Sequence, residues 1–165
     1  MTPRLHVPEP LAGHHRLEGF TCGLADVDTF LATRARANSE RGASRVFVSC
    51  DDDNNVFAYY TLSSGSIIRS GIPCKYRHGS PDPVPVLLIG RFGVDQRAQG
   101  NGVGRWLLQD ALVRCGRLST QIGFQFLMLH AANETADSFW RRFGFTPSPI
   151  IENTLMLDAR TLPVK

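Results

Sequence analysis

A glycine-rich hexapeptide is the segment of this sequence best suited to hold a charged ligand. It reads Gln99-Gly100-Asn101-Gly102-Val103-Gly104 and is followed by a stretch with helical apolar spacing. Glycines let a ligand approach the backbone closely, and the amides at the start of a following helix point at the same place. The pattern is therefore typical of a loop that binds a pyrophosphate group.

The hexapeptide does not fit two familiar phosphate-binding motifs. It lacks the G-K-[ST] ending of a Walker loop and the G-x-G-x-x-G pattern of a Rossmann fingerprint; it reads Q-x-x-G-x-G instead. A tight strand-to-helix turn, in which glycines only satisfy backbone geometry, accounts for the hexapeptide alone equally well. Whether the hexapeptide binds a phosphate or only forms a turn must therefore be judged from the elements around it.

The predicted elements on either side of the hexapeptide are a strand and a helix. The run from Val86 to Asp95 has the continuous apolar character of a buried strand, and residues 102–117 place apolar side chains at helical spacing. Before them we predict a helix over 26–41, with Asp26 as N-cap and Gly42 just past its end, and strands over 45–50 and 56–62 that form an antiparallel hairpin. A proline-rich loop is predicted over 70–85. After the hexapeptide and its helix we predict a strand over 124–130, a short helix over 134–142 and a last strand over 154–158.

Length and composition favour one domain over residues 1–165. The hydrophobic fraction is 42% and no run of about 18 apolar residues is present to span a membrane. The segment from Met1 to Pro10 lacks the apolar core of a secretory signal, so we expect a cytoplasmic protein. The cysteines show no C-x-x-C spacing, which indicates reduced packing residues rather than a disulfide framework or a zinc site. They are Cys22, Cys50, Cys74 and Cys115.

Several further segments, read together with the hexapeptide, carry a family resemblance. The chain resembles the GNAT superfamily of acetyl-CoA-dependent N-acetyltransferases, whose phosphate loop reads [QR]-x-x-G-x-[GA] between a central strand and a long helix. More narrowly, it resembles the toxin branch, which acetylates aminoacyl-tRNA and is neutralised by a ribbon-helix-helix antitoxin. The segments are Phe20-Thr21-Cys22-Gly23, Arg41-Gly42-Ala43-Ser44-Arg45, Tyr59-Tyr60-Thr61-Leu62, Leu88-Ile89-Gly90-Arg91-Phe92-Gly93-Val94-Asp95 and Phe139-Trp140-Arg141-Arg142-Phe143-Gly144-Phe145.

The resemblance implies a fold and a set of roles. The fold would be α/β, a single GNAT domain with a mixed central β-sheet flanked by α-helices, and the protein would form a homodimer. Acetyl-CoA would be the co-substrate, with no metal and no membrane contact. The backbone of Phe92, Gly93 and Val94 would hold the acetyl and pantetheine parts, and the hexapeptide the pyrophosphate. Asn133 and Ser138 would lie along the pantetheine arm.

The chain departs from the toxin branch at Trp140. The family places a tyrosine there, in the motif F-Y-x-x-[FV]-G-F, whose hydroxyl protonates the departing CoA thiolate. An indole N–H is only a donor, and a positioned general acid contributes typically about 10²- to 10⁴-fold in rate. A thiolate with a pKa near 8.5 is nevertheless a tolerable leaving group, an α-amine is partly neutral at pH 7, and proximity and a backbone oxyanion donor also favour transfer.

Few other side chains offer a substitute acid. His130 ends the strand that leads to this site, and a histidine titrates near neutrality, but a histidine satisfied at a strand end is the more common case. Packing within the hairpin accounts for Tyr59 and Tyr60, and Tyr76 lies in the proline-rich loop. Each would serve only if it reached the sulfur.

The charge pattern permits a nucleic-acid partner. The net charge is +3, and most of the 18 cationic residues are arginines, which suit bidentate phosphate contacts. A positive rim that binds tRNA phosphates and an ordinary solvated surface both remain open. The cationic residues concerned are Arg34, Arg36, Arg41, Arg45, Arg69, Lys75, Arg77, Arg91, Arg97, Arg105, Arg141 and Arg142.

Three functional hypotheses follow. The first is a toxin that acetylates the α-amine of aminoacyl-tRNA and so blocks translation. The second is a GNAT enzyme that acts on a small amine or a protein N-terminus. The third is a catalytically impaired protein that still binds acetyl-CoA and an antitoxin, because Trp140 replaces the family tyrosine.

Overall fold

The computed structural model describes residues 3–164, which form an α/β fold as predicted. Within this range, no helix is both long and apolar enough to cross a membrane. The helices are α1 Ala25–Thr33, α2 Ala35–Arg41, α3 Cys74–Arg77, α4 Val103–Leu118 and α5 Glu134–Arg141. The strands are β1 Glu9–Pro10, β2 Arg45–Cys50, β3 Val56–Ile67, β4 Val84–Val94, β5 Phe126–His130, β6 Thr146–Pro147 and β7 Thr154–Asp158.

The strands form one mixed sheet in the order β1-β2-β3-β4-β5-β7-β6. β4 and β5 pair in parallel, whereas β1 with β2, β2 with β3, β5 with β7 and β6 with β7 pair antiparallel. The mixed sheet and the β2–β3 hairpin are therefore confirmed. Contacts between residues divide the described part of the chain into two compact units. The first comprises the residues up to Ser63 together with Gly90–Ala111. The second comprises Ser64–Ile89 together with the residues from Leu112 onward. The single domain over 1–165 stays a prediction.

The core of the first unit packs α1 against the hairpin. Val27, Phe30 and Leu31 of α1 are buried in one cluster with apolar residues of β2 and β3. Tyr59 is fully buried and its hydroxyl donates to the carbonyl of Val27 at 2.5 Å, while the buried Tyr60 donates to Asp110 of α4 at 2.7 Å. Both tyrosines therefore serve packing, as the sequence indicated.

The single helix predicted over 26–41 is wrong in two respects. The chain leaves helical geometry at Arg34, where φ is −126° and ψ is −19°, so α1 and α2 are separate helices. Leu24, not Asp26, is the N-cap of α1, and its side chain makes no capping hydrogen bond. Asp26 lies in the first turn, where its carboxylate pairs with two arginines described below. Gly42 ends α2 in the left-handed region with φ of 74°, as predicted.

The predicted loop over 70–85 contains more structure than its proline content indicated. A 3-10 turn over Arg69–Gly71 overlaps its start, the four-residue α3 lies within it, and β4 begins at Val84 before its end. Two apolar anchors account for this order, because Ile72 is fully buried and the Tyr76 ring packs edge-on against Phe126 at 5.1 Å. Local propensity does not reveal such anchors, since the partners come from distant strands. The sequence also missed β1 and β6, which have two residues each and are too short for periodicity.

Candidate active site

A buried carboxylate fixes the chain where β4 leads into the glycine-rich loop. Asp95 is 1% exposed, and its side chain accepts hydrogen bonds from the backbone N–H of Thr21 at 3.0 Å and of Arg97 at 2.9 Å. The Arg97 guanidinium adds two more, at 2.9 and 3.0 Å. Burial alone would raise the pKa of Asp95, but these hydrogen bonds outweigh it and lower the pKa. Sequence reasoning missed this residue, although an acidic side chain at the end of an apolar strand was a usable signal.

Gln99 fastens the loop to the protein through its side chain. Its amide nitrogen donates to the carbonyl of Val94 at 2.7 Å and to that of Cys22 at 2.9 Å. The loop is therefore tied both to the end of β4 and to the segment that precedes α1. Because the side-chain nitrogen of Gln99 is used in these bonds, a ligand could be contacted by the side-chain oxygen of Gln99 and by the loop backbone.

The glycines that follow have the geometry of an anion-binding loop. Gly100 and Gly102 have φ of +83° and +79°, and a Cβ built at either position would meet no atom within 4 Å. α4 begins here, because Trp106 N–H donates to the carbonyl of Gly102 at 3.0 Å. The first amides of a helix have no partner inside it and carry a partial positive charge. Open space beside the first amides of a helix suits a phosphate group.

We expect Gly100→Ala to weaken binding of acetyl-CoA about tenfold, or about 1.4 kcal/mol, because the new methyl group enters the open space over the loop. Its backbone strain also costs at least about 1 kcal/mol in stability. Gly19→Ala is the matched control, since Gly19 has the same φ of +83° and equally open surroundings outside the loop. Isothermal titration calorimetry should show lower affinity in the first variant only. Equal affinity in both would exclude the loop from the site.

The end of β4 lies tightly against the segment before α1. A Cβ on Gly93 would come within 2.8 Å of Val27 Cγ1 and 3.3 Å of Cys22 Sγ, so the backbone is as close to its support as a glycine permits. The parallel register with β5 ends at Ile89↔Leu129, whereas β4 continues to Val94. The last residues of β4, among them Phe92, therefore extend beyond the parallel pairing.

Cys22, directly behind this strand, is a poor nucleophile. Burial, with a further contribution from Asp28, raises its pKa to about 11. A thiol with an unperturbed pKa near 8.5 forms roughly 300-fold more thiolate at neutral pH. We expect iodoacetamide at pH 8 to modify the exposed Cys74 long before Cys22, as followed by peptide mass spectrometry. Equal rates would contradict the burial of this thiol. Exposure of Cys74 also corrects the prediction that all four cysteines are packing residues.

The second unit holds the other predicted site residues on or beside α5. Asn133 is the N-cap of this helix, and its side-chain oxygen accepts from the Ala136 N–H at 2.8 Å. Ser138 is exposed. Trp140 is 5% exposed and packs edge-on against Phe139 and Phe145, with ring centroids 5.3 Å apart in both pairs. The roles of Asn133 and Ser138 toward pantetheine stay predictions.

Two arginines of the predicted positive rim share one carboxylate. Asp26 pairs with Arg91 of β4 at 3.2 Å and with Arg34 at 3.6 Å. Both guanidinium groups lie over the ring of Phe30, at 4.5 and 5.4 Å from its centroid. Arg97, in contrast, is occupied by Asp95. Within the predicted rim, Arg34 and Arg91 are therefore neighbours.

A histidine cluster near the N-terminus resembles a metal site by composition. The ligand atoms of Glu9, His14 and His15 lie within 4.8 Å of one another. The buried His15, however, accepts the Ala12 N–H at its Nδ1 and contacts Glu9 through Nε2 at 2.6 Å. A neutral imidazole with an accepting Nδ1 carries its proton on Nε2, which therefore donates to Glu9. In this arrangement His15 offers no lone pair to a metal ion.

The comparison with known families decides the class of the protein. Residues 42–147 match the family model described as acetyltransferase (GNAT) domain. The chain belongs to the GNAT acetyltransferase family. The matched range contains the end of β4, the glycine-rich loop and Trp140, and the enzyme is an N-acetyltransferase.

This GNAT acetyltransferase is similar over nearly its whole length to proteins of one kind. It is 39% identical to the tRNA-acetylating toxin of Mycobacterium tuberculosis, over 94% of this chain and 95% of that protein. Its fold matches AtaT complexed with acetyl-methionyl-tRNAfMet with a TM-score of 0.88, at 27% identity over 96% of each chain. It also matches a mutant of the AtaT toxin bound to the C-terminus of the antitoxin AtaR and acetyl-CoA, with a TM-score of 0.81, at 25% identity over 95% of this chain and 94% of the other.

Proposed function

We propose that this enzyme is a toxin that transfers the acetyl group of acetyl-CoA to the α-amine of aminoacyl-tRNA and thereby blocks translation. The observation that carries the proposal is the 39% identity, over 94% of the chain, to a tRNA-acetylating toxin. The fold similarity to AtaT, whose complex contains acetyl-methionyl-tRNAfMet, supports the same acceptor. An acetylated α-amine cannot attack the next peptidyl ester, so the modified aminoacyl-tRNA is lost to elongation.

The loop geometry supports acetyl-CoA as the co-substrate. The open backbone at Gly100 and Gly102, together with the first amides of α4, would receive the pyrophosphate. The backbone of residues 92–94 would hold the acetyl and upper pantetheine groups, and Asn133 and Ser138 would follow the arm. Asp95 and Gln99 would act indirectly, because their side chains hold the loop in position.

The reaction needs a neutral amine and a departing thiolate. The amine nitrogen attacks the thioester carbon, the new C–N bond forms, the C–S bond breaks, and the nitrogen loses one proton. Trp140 has no hydroxyl with which to protonate the sulfur, so CoA would leave as a thiolate and take its proton from solvent. This departure from the family tyrosine is the observation that favours a second candidate, a slow or silent enzyme that retains acetyl-CoA binding.

The proposal includes partners and a location. The complex of AtaT with the C-terminus of its antitoxin supports an antitoxin for this chain, which we propose to be of the ribbon-helix-helix type. We further propose a homodimer that acts in the cytoplasm, where aminoacyl-tRNA is found. The pair Arg34 and Arg91 is suited to phosphates of the tRNA backbone.

The test is to incubate the protein with radiolabelled acetyl-CoA and total charged tRNA, and then to separate the RNA. Deacylated tRNA is the matched control, because it has the same phosphates and no α-amine. Label on charged tRNA alone supports the proposal. If the protein binds acetyl-CoA but transfers label only to small amines or peptides, the result would contradict the proposal and favour the general GNAT alternative. Binding without any transfer would support the silent variant.

A further inference from the structure

A threonine hydroxyl of β3 takes part in the contact between β3 and β4. The backbone N–H of Arg91 in β4 donates to Thr61 Oγ1 at 2.9 Å, and Thr61 is 3% exposed. A Cβ on Gly90, the residue before Arg91, would come within 2.8 Å of the same oxygen. The hydroxyl therefore lies directly against the backbone of β4, at a position where any larger residue would collide with it.

The pairing of β3 with β4 shifts between this hydroxyl and the end of β4. Gly90 lies opposite Thr61, whereas the N–H of Asp95 donates to the carbonyl of Phe57 at 2.7 Å. The residue numbers run in opposite directions, so the two strands are antiparallel. The chain advances by five positions from Gly90 to Asp95, while β3 covers only four from Thr61 to Phe57. One extra residue in one strand of an antiparallel pair is a β-bulge.

The directions of the side chains lead to the same conclusion. Successive residues of a regular strand face opposite sides of the sheet, so residues three positions apart also face opposite sides. A Cβ on Gly90 would point at Thr61, which shares a face of β3 with Tyr59, and Tyr59 packs against α1. A Cβ on Gly93 would point at α1 as well. Gly90 and Gly93 thus share a face, which places the extra residue of β4 between them.

We propose that Thr61 is a positioning residue for the acetyl group of acetyl-CoA, an inference that rests on the proposed function. Its hydroxyl holds the N–H of Arg91 and so fixes the bulge directly before residues 92–94. A bulge bends its strand, and bulges are common next to active sites. The bend would set the direction of the backbone that receives the acetyl carbonyl. A backbone held in advance at this carbonyl stabilises the negative charge that develops on its oxygen when the amine attacks.

The hydrogen bond itself is tested by amide hydrogen exchange in the absence of any ligand. We expect the Arg91 N–H to exchange about tenfold faster in Thr61→Val than in the wild type, because the buried donor loses its acceptor. Thr61→Ser keeps a hydroxyl and should exchange at the rate of the wild type. The N–H of Asp95, which bonds to a backbone carbonyl, is the internal reference. An unchanged rate at Arg91 in the valine variant would overturn the inference.

The role toward the acetyl group is tested by comparing acetyl-CoA with CoA in calorimetry. Both contain the pyrophosphate, but only acetyl-CoA contains the group that Thr61 would position. We expect Thr61→Val to lower the affinity for acetyl-CoA about threefold to tenfold and to leave the affinity for CoA unchanged. The rate of transfer at saturating acetyl-CoA should fall about tenfold, and Thr61→Ser should restore both quantities.

Two further variants separate positioning from a general loss of stability. Ser49→Ala removes another fully buried hydroxyl in the same unit, one that donates to the carbonyl of His6 at 2.6 Å, and it should change neither affinity nor rate. Gly90→Ala places a methyl group against the Thr61 hydroxyl from the other side and should reproduce the effects of Thr61→Val. A Gly90→Ala variant with the acetyl-CoA affinity and rate of the wild type would contradict the inference even if Thr61→Val does not fold.

The outcomes distinguish this inference from the proposed function. Equal losses of affinity for CoA and acetyl-CoA in Thr61→Val would overturn the inference and leave the tRNA substrate standing. If the wild-type protein binds acetyl-CoA but does not acetylate aminoacyl-tRNA, the proposed function fails. The inference then stands or falls by the affinities for acetyl-CoA and CoA, which require no acceptor. A wild-type protein that binds neither compound would overturn both.

Discussion

Replacing Trp140 with tyrosine is expected to raise the rate of acetyl transfer by about 10²- to 10⁴-fold, the usual contribution of a positioned general acid. The new hydroxyl would protonate the CoA thiolate as the C–S bond breaks, which the indole cannot do. This is the largest gain in activity that we expect from any single substitution. It is measured as labelled acetyl groups on charged tRNA per unit time, with acetyl-CoA at saturation.

The control for this experiment is Trp140→Phe. Trp140 packs against Phe139 and Phe145, so either smaller ring leaves space in the core and costs some stability. Phenylalanine creates the same loss of volume without a hydroxyl, and the ratio of the two variants isolates the effect of the acid. A tyrosine variant no faster than the phenylalanine variant would show that an acid at this position is not what limits the enzyme.

The second large effect is expected from Asp95→Ala, which removes the carboxylate that holds the start of the glycine-rich loop; we call this carboxylate and its hydrogen bonds the Asp95 clasp. The backbone N–H groups of Thr21 and Arg97 lose their acceptor, at about 1–3 kcal/mol for each donor left unpaired. We expect urea unfolding to show the lower stability and calorimetry to show weaker acetyl-CoA binding. Acetyl-CoA binding is expected to weaken because the loop loses its fixed starting point.

Asp158 provides the matched control for this clasp. Its carboxylate caps a short 3-10 turn and pairs with Arg160, as Asp95 does with Arg97, but it lies outside the loop. Asp158→Ala should reduce stability and leave acetyl-CoA affinity unchanged. An equal loss of affinity in both variants would mean that general destabilisation, and not the loop, is responsible for the result with Asp95.

The same two carboxylates determine how stability responds to acid. Hydrogen bonds lower the pKa of Asp95 despite its burial, and those from Arg160 lower the pKa of Asp158. A carboxyl whose pKa is lower in the folded state stabilises the fold fully above its unfolded pKa, about 3.9, and loses this contribution as the pH falls through the folded value. Unfolding free energy should therefore decline below about pH 4, and more shallowly in Asp95→Asn.

The sequence was sufficient for those parts of the site that depend on local pattern. Glycines at 100 and 102 between an apolar strand and an amphipathic helix indicated the loop, and each has the left-handed φ that glycine tolerates. The clasp at Asp95 escaped, because its partner Thr21 lies 74 positions away. Asp26 was misread as a cap for a related reason, since Arg91, 65 residues later, is its partner.

The surroundings of His130 illustrate a further limit. Its Nδ1 lies 3.0 Å from the hydroxyl oxygen of Thr154. Spacing along the chain does not reveal this neighbour, because only the register of β5 with β7 shows that the histidine has a threonine opposite it.

The sharing of Asp26 between Arg34 and Arg91 affects how ionic strength should act on this surface. Two cations held by one internal anion have already replaced part of their counterion atmosphere. A polyanion that displaces Asp26 from them releases fewer salt ions than its phosphate contacts would suggest. The slope of log affinity against log salt concentration would therefore undercount those contacts, and Asp26→Asn should steepen it while it strengthens binding at low salt.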